Sequence, residues 1–171
     1  MDKIHVLVTV PLPLHDLILT DQARARLLSL ARVTTNEDGR NWTAEEIAAH
    51  LPGVDAMITG WGVPRLTAEV LARADRLRLI AHAAGSVKGF ASDAVFQKGI
   101  AVTHAADRIA ESVAEFTLLV AMMGLRRPQD FDRQMKSGEA WPKSRELPRF
   151  EIAGKRVGLL GMGYVGRRAA R

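Results

Sequence analysis

The sequence predicts an α/β fold, a doubly wound parallel sheet followed by the start of a second sheet-based domain. Two observations carry this. From Ile4 to Thr103, short β-branched runs alternate with helical patterns, which is how parallel strands and their helical crossovers read in sequence. Near the carboxyl end a separate apolar run, Arg156-Val157-Gly158-Leu159-Leu160, leads straight into a glycine-rich turn.

The elements follow in order. The first strand is Ile4–Val10, closed by Pro11-Leu12-Pro13. A helix from about Asp21 to Ala31 follows, with Asp21 as its cap and Leu27, Leu28 and Leu30 as apolar positions. Arg32–Thr35 is the second strand. Thr43-Ala44-Glu45-Glu46 fits a capping box, in which hydroxyl and carboxylate satisfy each other's backbone amides, and that helix ends near Leu51-Pro52-Gly53. Asp55–Thr59 is a strand, Leu66–Ala74 a helix and Leu77–Ala83 a strand. Phe90–Lys98 is a helix stopped by Gly99, and Ile100–Thr103 is the fifth strand. Five strands with four intervening helices complete the unit, so the first domain is set at residues 1–106 and the second region at 107–171.

The second region opens with a helix from Glu111, where Ser112-Val113-Ala114-Glu115 is another possible capping box. This helix is apolar on nearly every face through Leu125, so it needs cover from another domain or subunit. Gly138–Phe150, with Trp141, Pro142 and Pro148, reads as a linker, and Arg156–Leu160 as a strand.

Composition narrows the function classes. The chain of 171 residues is 47% hydrophobic and 25% charged, the balance of a globular protein with a real core. It has no cysteine, which excludes disulfides and thiolate chemistry and makes the cytoplasm the expected compartment. The start shows no signal-peptide pattern, and the apolar run Phe116–Leu125 is too short to span a membrane. The net charge of +5 is spread among acidic residues except near the end, and no nucleic-acid module accompanies it. Neither nucleic acid nor membrane is expected as a partner, and no metal site is expected.

Gly161-Met162-Gly163-Tyr164-Val165-Gly166 is a G-x-G-x-x-G after a strand and before a helix. In that context the first glycine permits the tight turn. The second lets a pyrophosphate approach the backbone, and the third lets helix and strand pack closely. Free amides at the helix start then hold the anion. Gly161, Gly163, Tyr164, Val165 and Gly166 are therefore the candidate dinucleotide-binding residues, with NAD or NADP as cofactor. The acidic residue expected about 20 positions later for the ribose falls past Arg171, so the cofactor site is expected to be incomplete in this chain.

The second motif is Ala81-His82-Ala83-Ala84-Gly85-Ser86-Val87-Lys88-Gly89, at the carboxyl end of the fourth strand, where ligands of open parallel sheets collect. Small residues leave amides accessible to a carboxylate, although an ordinary strand-to-helix loop has the same composition. Thr59-Gly60-Trp61-Gly62, at the end of the third strand, offers Trp61 as a wall of the same crevice or simply as a packed aromatic. His82 and His104 lie near strand ends but lack a carboxylate at dyad spacing; Glu111 and Glu115 read as cap and helix-surface groups.

The order of these motifs resembles the D-isomer-specific 2-hydroxyacid dehydrogenases. Ala84–Val87 resembles that family's substrate-carboxylate loop, Glu111–Thr117 its interdomain helix, and Gly154–Gly166 its cofactor fingerprint. The resemblance implies a flavodoxin-like, Rossmann-type lobe followed by a second Rossmann domain that binds NAD. It implies hydride transfer between nicotinamide and a small 2-hydroxy or 2-oxo acid. Ala84 would sit between substrate and cofactor, the amides of Gly85, Ser86 and Val87 would hold the carboxylate, and Tyr164 and Val165 would face the pyrophosphate. A homodimer through the 111–125 helix is also implied. Three positions depart from the family pattern: Tyr164 stands where Arg is frequent, Ser86-Val87-Lys88 replaces a commoner Val-Asp-Asn, and His104 replaces Asn. The family's catalytic Arg, Glu and His all fall beyond the fingerprint, so no residue of this chain inherits those roles and the chain alone is expected to be inactive. A non-catalytic dimerising or ligand-sensing module stands as the alternative.

Overall fold

The computed structural model describes residues 3–138 and 149–171. The chain divides into two compact units, residues 1–106 and 107–171.

The first unit is built on five parallel strands, β1 (Ile4–Val8), β2 (Ala31–Thr35), β3 (Ala56–Thr59), β4 (Leu79–His82) and β5 (Ala101–His104), in the spatial order β2-β1-β3-β4-β5. Leu7 pairs with Met57, Met57 with Ile80, and Ile80 with Val102, so one row of side chains crosses the sheet on the same face. Leu7, Met57 and Ile80 are completely buried there. They pack against Ile47 of α3 (Ala44–His50), Val70 and Leu71 of α4 (Ala68–Leu71) and Val95 of α5 (Asp93–Gln97). The alternate residues Val6 and Val8 face the other way, toward Leu14 and Ile18 of α1 (Leu12–Ile18) and Leu27 of α2 (Asp21–Leu30). The chain leaves β1 toward β2 and then crosses back over it to β3. Right-handed crossovers put helices on opposite faces when direction reverses, which opens a crevice beyond the carboxyl ends of β1 and β3.

Several boundaries differ from the sequence expectation. Pro11-Leu12-Pro13 does not close the first strand but opens α1. Pro11 is extended at the cap, and Pro13 lies in the first turn, where a missing amide costs no hydrogen bond. Thr20, not Asp21, caps α2, its hydroxyl accepting from the Ala23 amide at 3.3 Å. The capping box of α3 forms as expected: Glu46 N donates to Thr43 Oγ1 at 3.3 Å, and Thr43 N to Glu46 Oε2 at 2.7 Å.

The second unit is dominated by α6 (Ala106–Arg126). Because this helix starts five residues before Glu111, Ser112 and Glu115 lie inside it and make no capping box. Only Ala110 and Ala114 of α6 are buried, while Phe116, Leu118, Leu119 and Val120 are exposed, Phe116 by 63%. The apolar run thus has little cover among the described residues. A short helix that the sequence reading missed, α7 (Pro128–Lys136), follows Arg127, whose left-handed backbone is held by a 2.6 Å bond from its Nε to Asp130 Oδ2.

Trp141, Pro142 and Pro148 of the expected linker lie outside the described residues. Arg156–Leu160 is not a strand, contrary to expectation. A strand needs a neighbour to accept and donate along its ladder, and the described residues of this unit contain none. Val157 and Leu160 consequently point into solvent. The glycine turn then runs into α8 (Tyr164–Ala169).

Candidate functional site

In the first unit the candidate site residues fall on the pair of loops leaving β3 and β4. Thr59 and His82 are register partners at the ends of these strands, so the loops beginning at Gly60 and Ala83 start side by side. Ala83 N donates to Thr59 O at 2.8 Å, and Ala105 N donates to Ala84 O at 3.0 Å. Ala84 is buried by these contacts. At the far end of the loop Ala91 N donates to Val87 O at 2.9 Å, and the Phe90 ring is buried in the core. The loop is therefore fixed at both ends.

Between those anchors, the amides of Gly85, Ser86 and Val87 donate to no group among the described residues. Gly85 and Val87 are half-buried and Ser86 is exposed. Val87 also packs against the core, which fixes the backbone while leaving its N–H open. Three successive amides without a partner among the described residues, on a pinned loop, are available as donors to a carboxylate. Trp61 lies on the neighbouring loop, 55% exposed rather than packed away. Gly62, next to it, has φ +80, and a Cβ there would collide with Asn41 Nδ2, so this turn requires glycine.

His82 takes a supporting role. Its Nδ1 lies 2.9 Å from Thr59 Oγ1, and its ring rests on Phe90 with centroids 4.7 Å apart. Burial, aided by the facing His104, pushes its pKa below the ordinary histidine value. His104 is exposed, and its Nδ1 accepts from the Ala106 amide at 3.2 Å. The sequence located both histidines at strand ends; the bond from Thr59 to His82 had no signal, because only strand register brings the two together. Glu111 and Glu115 are exposed on the side of α6. Among the described residues, no group of three or more potential ligands is arranged to hold a metal ion.

In the second unit, Gly161 has φ +92 and Gly163 is the extended cap residue of α8. A Cβ on Gly166 would collide with the Gly161 carbonyl oxygen, so the turn closes only around a glycine. The amides of Gly163, Tyr164 and Val165 have no partner among the described residues. This fits a backbone approached by a diphosphate. Arg168 braces the turn from behind, donating to Tyr164 O at 3.2 Å and to Asp107 Oδ1 of α6 at 2.9 Å.

Comparison with known proteins agrees with this architecture. Residues 15–167 match the family model of the D-isomer specific 2-hydroxyacid dehydrogenase catalytic domain. The D-3-phosphoglycerate dehydrogenase of Methanocaldococcus jannaschii is 29% identical over 129 residues, which is 75% of this chain and 24% of that protein. The glyoxylate reductase of Aeropyrum pernix is 31% identical over 111 residues, 62% of this chain and 33% of that protein. The crystal structure of a phosphoglycerate oxidoreductase from Rhizobium etli superposes with a TM-score of 0.62 at 30% identity, covering 98% of this chain and 51% of that one. The chain belongs to the D-isomer specific 2-hydroxyacid dehydrogenase family. It spans about half the length of the solved relative and a smaller share of the two curated ones. Its homologues are oxidoreductases acting on 2-hydroxyacids. No helix among the described residues is long and apolar enough to cross a membrane.

Proposed function

We propose that this chain supplies the acid-binding lobe and the diphosphate-gripping turn of an NAD(P)-dependent 2-hydroxyacid dehydrogenase. The observation that carries the reading is the run of three unpartnered amides, Gly85, Ser86 and Val87, on a loop pinned at both ends. They bind a 2-oxo or 2-hydroxy acid through its carboxylate, with Trp61 shielding one side and buried Ala84 fixing the loop. The turn of Gly161, Gly163, Tyr164, Val165 and Gly166 receives the diphosphate of NAD or NADP through the open amides at the start of α8. When bound, the nicotinamide supplies or accepts the hydride.

His82 does not carry the proton in this scheme. Its ring is buried, and its Nδ1 is committed to Thr59, so it holds the two substrate loops in register instead. The family's Arg, Glu and His are expected past the fingerprint, and the 171-residue chain alone is expected to bind ligand without turnover. The exposed apolar face of α6 is assigned to a homodimer, because Phe116 and its neighbours are exposed among the described residues. The cytoplasm remains the expected compartment.

Amide NMR of the purified chain titrated with glyoxylate tests the reading. Saturable shifts at Gly85–Val87, lost in Ser86→Pro, are expected, since proline removes the central donor. Absence of those shifts, or reduction of glyoxylate by the chain alone, overturns it.

A further inference from the structure

A cavity of about 350 Å³ lies beneath α1 and α2, against β1 and β2. Val8 and Val33 of the strands face it, Leu19 and Leu27 wall it, and His15 and Arg24 also line it. None of the residues Trp61 and Ala84–Val87 lines it. No residue of α2 is fully buried, although Leu27 packs in part against the strands.

His15 is only 4% exposed, and its buried Nε2 has no hydrogen-bond partner among the described residues. Buried polar groups are nearly always paired, and an exception beside a cavity points to a partner that the described residues do not supply. Arg24 gives a second pointer. One of its nitrogens, Nη2, donates to Asp16 Oδ1 at 3.0 Å, but Asp16 is 91% exposed, so that pair is weak and other guanidinium donors remain open. A cation and an orphaned ring nitrogen thus line one pocket whose remaining walls are largely hydrocarbon.

We propose that this cavity binds a small monocarboxylic acid with an apolar body. The carboxylate accepts from Arg24 and from His15 Nε2–H, while the hydrocarbon lies against Leu19, Leu27 and Val33. The volume is that of a small-ligand site. Glu37 also lines the cavity and repels a second negative charge, which selects against dicarboxylates and phosphorylated acids.

Isothermal titration and NMR of the purified chain with phenylacetate test the assignment. One saturable site is expected, with shifts at residues of α1 and α2. His15→Leu replaces the orphaned nitrogen by hydrocarbon. It should leave the melting temperature equal or higher while weakening phenylacetate by about tenfold or more. Arg24→Gln should weaken it similarly, Asp16→Asn should leave it equal or tighter, and Glu37→Gln should admit succinate. Should His15→Leu fail to fold, Arg24→Gln carries the test, since its side chain is 43% exposed. No saturable binding, parental affinity in both His15→Leu and Arg24→Gln, or shifts confined to Gly85–Val87 would each overturn the proposal.

Discussion

Thr59 Oγ1 and His82 Nδ1 lie 2.9 Å apart, and this buried bond ties the end of β3 to the end of β4 just where the two candidate substrate loops begin. Thr59→Val keeps the shape but strands the ring nitrogen. A loss of about 1–3 kcal/mol is expected, because an unpaired buried polar group forfeits its hydration without return. Thermal denaturation measures it, and an unchanged melting temperature would show that the bond contributes nothing.

The same histidine predicts a pH dependence. Burial lowers its pKa in the folded state below 6.5, so the unfolded chain binds the proton more readily. Its contribution is therefore intact above about pH 6.5 and is lost as pH falls below that value. Urea midpoints measured from pH 8 to pH 5 should decline, and His82→Gln should flatten that part of the profile.

At lower pH a second group takes over. The Arg40 guanidinium, with the Thr43 amide, holds Glu46 down to about 2 from an ordinary 4.5. A depressed carboxylate stabilises the fold above its unfolded value and ceases to do so as pH drops from 4.5 toward 2. Glu46→Gln should remove this acid-side slope. Thr43→Ala, which deletes the cap hydroxyl, should cost about 1 kcal/mol at neutral pH.

Gly166→Ala addresses the cofactor turn. Its methyl meets the Gly161 carbonyl oxygen, so the turn must open and its amides diverge. NADH affinity should fall at least about tenfold, while the melting of the first unit stays unchanged. Equal affinity would detach the turn from cofactor binding.

Phe116 and Leu119 are three residues apart on one face of α6, and both are exposed. Replacing both with Glu should convert a dimer to a monomer in analytical ultracentrifugation. A parent chain already monomeric at high concentration would remove the dimer assignment.

Local chemistry and tertiary context divide what the sequence revealed. Thr43 and Glu46 were legible because a capping box is complete within four residues. The five strands were legible because each is a short β-branched run, whereas their spatial order is set by pairing between segments distant in sequence. Ala84–Val87 was legible as a loop of accessible amides, but its anchors were not, since the bonds between Ala83 and Thr59 and between Ala105 and Ala84 join strand ends distant in sequence. The expected strand at Arg156–Leu160 has the right residues and fails for lack of a neighbour: composition gives a segment the capacity to pair, and only tertiary structure supplies the mate. The start of α6 was misjudged because Ser112 and Glu115 imitate a helix beginning from within the helix.

Arg168 grips both the carbonyl of Tyr164 and the carboxylate of Asp107, so the glycine turn is tethered to the long helix that carries the apolar face. Two events that touch different surfaces thereby share a single mechanical strut. On the proposed reading, whatever steadies α6 would also lower the entropy surrendered when a diphosphate settles on the turn, and binding there would steady α6 by the same amount.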